Sequence, residues 1–220
     1  MRTAAPTAEV HLVVIAKAPV AGQVKTRLCP PYTLTEAAVL AEAALMDTLD
    51  TVAATPAAAR TVVLEGAVGP WLPAGFSVIP QRGNGLDERL AAGLLDAQHN
   101  HRAPVLLVGM DTPQLTPALL ADACDDLMTG DTDAVLGPTA DGGWWALGLR
   151  HVDPSLLIGV PMSTPHTYTA QLARLAAHRL KVVKLPQLVD VDDADSAEIV
   201  AALAPASRFS RARETLELAS

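Results

Sequence analysis

Apolar and polar positions along this chain fall into two recurring patterns: short runs of aliphatic and β-branched residues, and longer Ala/Leu-rich stretches. Residues 10–15 (VHLVVI) are mostly apolar or β-branched, as in a strand buried on both faces. Residues 61–64, 76–79, 104–108, 133–136 and 182–185 predict further strands, with 104–108 the central one. Thr33 followed three residues later by Glu36 is a capping box, so a helix opens near Leu34, and 34–53 contains no Gly or Pro to stop it. More helices are expected over 86–98, over 117–128 behind a Thr116 cap, and over 166–178, with Thr164 as cap and Pro165 as first helical residue. Another should run to about Leu203, capped by Asp193 or Asp195. Asp141-Gly142-Gly143 marks a tight turn, making 133–149 a β-hairpin in which Trp144 and Trp145 face opposite ways. One of the two packs in the core and the other lines a pocket. Helices alternating with short apolar strands predict a single Rossmann-like α/β domain with a mixed, mainly parallel sheet flanked by helices. The expected layout is a disordered lead-in over 1–9, the domain over 10–204, and a tail or helix over 205–220.

Composition sharpens this in three ways. Aromatic residues make up only 3%, so the core must be built from Ala, Val and Leu. The formal net charge of −8 argues against nucleic acid or an anionic membrane as main partner, and it makes a cluster of cations at Lys17, Lys25 and Arg27 stand out. The two cysteines, Cys29 and Cys124, have no metal-site spacing and read as reduced thiols. With no apolar run of transmembrane length and no signal-peptide core in the first nine residues, a cytoplasmic protein is expected.

The candidate chemistry lies where strands end. Lys17, Pro19, Gly22, Lys25 and Arg27 follow the first strand and precede the first helix. A loop at the C-terminal end of a parallel strand is where open α/β sheets bind ligands. Cations and free backbone N–H groups there make a phosphate cradle, or else a solvated loop. The loop is neither a Walker A sequence nor G-x-G-x-x-G, since Gln23-Val24 separate Gly22 from Lys25-Thr26. Gly83 and Gly85, around Asn84, either let a ligand approach the backbone or simply turn the chain into the next helix, where Arg89 pairs locally. Asp111 ends the central strand and points at the crevice predicted from the first loop. A carboxylate beside phosphates implies a divalent cation between them, unless Asp111 only caps the turn before Pro113. Asp190 and Asp192 share one side of an extended stretch, where acids repel unless solvated or bridged by a cation. Asp141 either orients or deprotonates an acceptor, or forms its turn. His166, at a helix N-terminus, contacts an acceptor anion or is structural.

The run from Ala16 to Leu28 matches Ala-Lys-x-Pro-x-x-Gly-x-Val-Lys-Thr-Arg-Leu. It resembles the N-terminal signature of nucleotide-diphospho-sugar transferases of the glycosyltransferase-A fold. Similarity extends to 2-phospho-L-lactate guanylyltransferase, and is closer to a bacterial family described as selenodomain-associated or cell-wall glycosyltransferases. That family's Gly-Pro-x-x-Asp-Gly-Gly-Tyr-Tyr corresponds to 137–145, and its Ser-Thr-Pro-His-Thr to 163–167. The likeness covers nearly the whole chain, through at least Asp195. It implies that Ala16, Lys17, Gly22, Lys25, Arg27, Gly83, Asn84 and Gly85 bind a nucleotide, with Lys25, Arg27 and Asp141 catalytic. It further implies that Asp111, Asp190 and Asp192 hold Mg²⁺ or Mn²⁺, and that Trp144, Trp145 and His166 meet the acceptor. Asp111-Thr112-Pro113 lacks the second acid of the glycosyltransferase Asp-x-Asp form. The expectation is therefore a metal-dependent transferase using a nucleoside triphosphate or a nucleotide sugar, first of all in nucleotidyl transfer to a small phosphorylated or oxyanion acceptor. The alternatives are a glycosyltransferase and a nucleotide-binding module without turnover.

Overall fold

The computed structural model describes residues 9–219, so nearly all of the lead-in expected over 1–9 lies outside the described residues. Seven strands form one sheet: β1 (His11–Lys17), β2 (Ala59–Glu65), β3 (Ser77–Pro80), β4 (Val105–Val108), β5 (Ala134–Pro138), β6 (Trp144–Leu149) and β7 (Val182–Lys184). Their spatial order is β3-β2-β1-β4-β6-β5-β7. Every neighbouring pair is parallel except those made by β6, which runs antiparallel to both β4 and β5. The sheet is thus mixed and mainly parallel, in the nucleotide-diphospho-sugar transferase fold. Because β6 is reversed, it begins at the sheet end where β1, β4 and β5 finish, and its hairpin turn arrives there with them.

The two faces of the sheet follow from the period of two along each strand. Leu12, Val14 and Ala16 of β1 join Leu106 and Val108 of β4 on one face, where Leu45 and Leu49 of α1 (Leu34–Ala54) and Leu120 and Leu127 of α3 (Pro117–Met128) cover them. Val13, Val105 and Leu107 face the other way, under Leu90 and Leu94 of α2 (Leu86–His101) and Leu175 of α4 (Thr167–Ala177). A third cluster lies outside the sheet, joining Leu28 and Leu40 to Val191, to Val200 of α5 (Ala194–Leu203) and to Phe209 of α6 (Arg208–Ala219). The helix α6 is anchored by Asp47 of α1, whose carboxylate accepts from the backbone N–H groups of Arg208 (3.0 Å) and Phe209 (2.9 Å) at the positive end of the helix dipole.

Caps decide where the helices begin. Thr33 with Glu36, and Asp193 with Ser196, form complete capping boxes, and Thr116 caps α3 with Pro117 at its first position. The start of α4 departs from the sequence expectation. Thr164 and Pro165 lie in a turn outside the helix, and the cap position is His166. The Thr164 hydroxyl accepts from His166 N–H within that turn, while Thr164 N–H is taken by Thr167 Oγ1, so the chain makes one extra turn before entering the helix. Among the described residues, no helix is long and apolar enough to cross a membrane.

Candidate active site

A crevice of about 830 Å³ opens at the end of the sheet where β1, β2 and β4 finish. Its basic wall is the loop after β1. Val24 and Leu28 are buried and pin the loop, while Lys25 between them adopts a left-handed backbone conformation (φ 50°, ψ 35°) ahead of a short 3₁₀ turn at Thr26–Leu28. The Lys25 ammonium lies 2.9 Å from Asp111 Oδ2 and also donates to the Val191 carbonyl. Arg27 Nη1 meets Asp192 Oδ2 at 2.7 Å, and this hydrogen bond with its charge holds the guanidinium above its ordinary pKa. Where β1 and β2 end, Lys17 lies 3.4 Å from Glu65, which also accepts from Arg89 at 2.6 Å.

The acidic wall comes from segments far apart in sequence. Asp111 lies in the loop after β4, three residues beyond the strand end at Val108 where the sequence placed it, and its carbonyl accepts from Val191 N–H at 2.9 Å, tying the 190–192 stretch to that loop. Asp190 and Asp192 both line the crevice while Val191, between them, is buried in the third cluster, as the expected alternation requires. Asp141 spends Oδ1 on its own turn, accepting from Gly143 N–H (2.9 Å) and the Thr139 hydroxyl (2.5 Å). It still lines the crevice, so it both forms the turn and faces the site. Gly142 (φ +91°) presses that turn onto Pro165, and its carbonyl accepts from Tyr168 N–H at 2.8 Å. The hairpin turn and the entrance to α4 therefore form one wall. Burial raises the pKa of Asp190 to about 6, the like charges of Asp141 and Asp111 add to the rise, and Lys25 opposes it.

The structure separates the expected residues into three groups. Ala16, Lys17, Lys25, Arg27, Asp111, Asp141, Trp144, Asp190 and Asp192 line the crevice. Gly22, Gly83, Asn84, Gly85 and His166 do not line it, although Gln81, Leu86, Pro165 and Thr167 beside them do. The 83–85 turn closes on itself: Gly83 carbonyl accepts from Arg89 Nε, and Asn84 N–H donates to Glu88. Trp145 is placed in the core instead of at an acceptor site, 1% exposed, with its indole N–H donating to the Pro186 carbonyl at 3.0 Å. Arg89 reaches beyond its local pairing to Glu65. Sequence reasoning missed Glu65, Gln81, Met110, Met162 and Ser163. Glu65 and Gln81 each sit at the end of a strand beside the crevice, the same signal that singled out Lys17 and Asp111.

The acids suit a hard divalent cation. Asp111 Oδ1 is buried with no hydrogen-bond partner among the described residues, and a cation would relieve the mutual repulsion of Asp111, Asp141 and Asp190. Among the described residues no group of three or more His, Cys, Asp or Glu forms a ready-made metal cage. One or two carboxylates, with the rest of the shell from water and phosphate, is how Mg²⁺ is ordinarily held.

Comparison with solved structures places this geometry in context. A protein of Desulfovibrio desulfuricans G20, provisionally assigned as a nucleotide-diphospho-sugar transferase, superposes with a TM-score of 0.84 at 25% identity, over 96% of each chain. CMP:2-keto-3-deoxy-manno-octonic acid synthetase complexed with CTP shares the fold (TM-score 0.59, 12% identity, 90% of this chain and 98% of that one). So does Rv0371c of Mycobacterium tuberculosis H37Rv complexed with manganese (0.54, 21%, 87% and 97%). No curated protein matches the chain. The family model described as "Uncharacterized protein conserved in bacteria (DUF2064)" matches residues 39–164, more than half of the 220, and the chain belongs to that family.

Proposed function

We propose that this protein is a divalent-cation-dependent transferase that moves a nucleotidyl group from a nucleoside triphosphate to a small phosphorylated or oxyanion acceptor. The observation that carries this reading is the meeting of Lys25 and Arg27 with Asp111, Asp141, Asp190 and Asp192 in one crevice. Cations set beside carboxylates in one crevice match a polyphosphate together with a divalent cation that bridges it to the acids. Lys25, Arg27 and Lys17 hold phosphate oxygens and stabilise the charge that builds on pyrophosphate as it leaves. The acceptor oxygen itself attacks the α-phosphorus, so no protein nucleophile is required. Asp141, with one oxygen fixed in its turn, orients or deprotonates that acceptor, and Trp144 gives it an apolar wall. The base and ribose lie towards Ala16 and Gln81, beside the Gly83–Gly85 turn. Asp111 and Asp190, with Asp192, would hold Mg²⁺ or Mn²⁺, which when bound supplies Lewis-acid neutralisation of the phosphates. Two reduced thiols, one of them buried with its pKa raised to about 12, suit a cytoplasmic setting.

A second reading, glycosyl transfer from a nucleoside-diphosphate sugar, is favoured by the assignment of the Desulfovibrio relative. The same residues would then hold the diphosphate as leaving group. The lone acid of Asp111-Thr112-Pro113 weighs towards nucleotidyl transfer, and it also leaves open a binding module without turnover. The test is incubation with each nucleoside triphosphate and with UDP-, GDP- and TDP-sugars, in the presence of Mg²⁺ or Mn²⁺ and a cell extract. Pyrophosphate release is the expected result. Nucleoside diphosphate release selects the second reading, and binding with neither product removes turnover from both.

A further inference from the structure

The cation seated among these acids in the structure is a side chain of the protein. The Lys25 ammonium contacts Asp111 Oδ2 at 2.9 Å and the Val191 carbonyl, and its side chain is only 11% exposed. The loop is built to deliver it there. Buried Val24 and Leu28 hold both flanks, and Lys25 itself takes a backbone conformation that is unfavourable for any residue carrying a β-carbon. Asp190 lines the same space. Two carboxylates and a carbonyl are hard oxygen donors, the set a divalent cation also seeks. An ammonium and a divalent ion cannot both make contact with Asp111 Oδ2 and the Val191 carbonyl, because two cations would then be driven together.

Building on the transferase reading above, we infer that Lys25 and the divalent cation are competitors for one seat. The ammonium balances the acids until the phosphates of a nucleotide draw it off, and Asp111 Oδ2 then becomes available to the metal. Metal therefore enters with nucleotide, and Lys25 suppresses metal loading in its absence. A lysine that only contacted phosphate would repel a nearby divalent ion through its charge, but metal alone would not displace it from Asp111 and its labelling would not respond to Mn²⁺. This competition gives Lys25 two effects of opposite sign: it strengthens nucleotide binding and weakens metal binding.

The test is Mn²⁺ affinity without nucleotide, by calorimetry and by the paramagnetic signal of free Mn²⁺, for wild type, Lys25→Met and the double variant Lys25→Met/Asp111→Asn. Lys25→Met should bind Mn²⁺ at least ten times more tightly than wild type, and the added Asp111→Asn should cancel the gain. A second measurement uses the unaltered protein: Mn²⁺ alone should raise acetylation of Lys25 by an amine-directed reagent, while labelling of Lys181 stays constant. Unchanged or weaker Mn²⁺ affinity in Lys25→Met, no Mn²⁺ binding by either protein, or Lys25 labelling indifferent to Mn²⁺ overturns the competition. Neither measurement uses nucleotide or turnover. Absence of pyrophosphate release would thus count against the transferase reading alone, and unaltered Mn²⁺ affinity against the competition alone.

Discussion

Arg27 and Asp111 hold opposite walls of the crevice and differ in what a substitution removes. Arg27 is 68% exposed and its pair with Asp192 lies in solvent, where ion pairs add little to stability. Arg27→Ala should therefore leave the melting temperature unchanged while weakening nucleotide binding and flattening its salt dependence; titration calorimetry at two ionic strengths checks this, and unaltered affinity would take Arg27 out of the phosphate contacts. Asp111→Asn keeps the shape and removes a charge. It should abolish most of the mutual strengthening of metal and nucleotide, while nucleotide affinity in chelator stays intact or improves. Equal wild-type affinities with Mg²⁺ and with chelator would leave no cation-bridged site to explain. A third residue bears on pH. His11 is fully buried, with Nε2 2.8 Å from the Thr61 hydroxyl and Nδ1 3.2 Å from the Ala97 carbonyl, which can only accept, so Nδ1 carries the proton of the neutral ring. Burial, then the charge of His101, lowers its pKa from 6.5 to about 4, against the opposing bond to Ala97. The unfolded chain thus gains a proton at a higher pH than the folded one. The stability from His11 is complete above pH 6.5 and is lost as pH falls towards 4, about 2 kcal/mol of it by pH 5. Urea midpoints at pH 7 and pH 5 should show that loss in wild type and lack it in His11→Val/Thr61→Val. The charges that end strands are legible in sequence because they interrupt apolar runs, which is how Lys17 and Asp111 are found. Which of Trp144 and Trp145 faces inward is not, since that depends on the register of β6 against β4 and β5.

Helix caps are legible for the same reason as strand ends: they are local chemistry. The capping boxes of α1 and α5 need only residues three apart, and both form. The start of α4 is set instead by a partner from another element, the hairpin turn pressed against Pro165. Gly142 carries that contact. A β-carbon there would come 2.1 Å from the Pro165 carbonyl oxygen, at φ +91°. Gly75 provides a comparison, with a similar φ of +89° and nothing within 4 Å of an added β-carbon. Gly75→Ala should cost only the backbone term, about 1–2 kcal/mol. Gly142→Ala should cost at least about 2 kcal/mol more, as expected for a clash with backbone, and should displace the wall that the hairpin turn forms with Pro165. Urea denaturation of both variants decides the point: equal costs would mean that the wall of the crevice yields readily and is not the fixed surface described.

At the scale of the whole molecule, the α/β class is readable from alternating elements, whereas the order β3-β2-β1-β4-β6-β5-β7 is not, because it rests on pairings between distant segments. The same holds for the site, whose acids converge only through that order. Its support extends to the C-terminus: Val191 shares a buried cluster with Phe209 of α6. Phe209→Ala should cost about 3–5 kcal/mol by leaving a cavity. It should also speed hydrogen exchange at the amide of Val191, measured by mass spectrometry; protection there equal to wild type would show that α6 does not support the acidic wall. The wide spacing of the two walls also has a consequence in time. Lys25 and Val191 stand 166 residues apart, so at roughly 5–20 residues per second the ribosome makes the basic loop about 8–33 s before the carbonyl that receives it. Arg27 waits almost as long for its partner, since Asp192 lies 165 residues downstream, and a nascent chain carries that guanidinium without Asp192 through most of its synthesis.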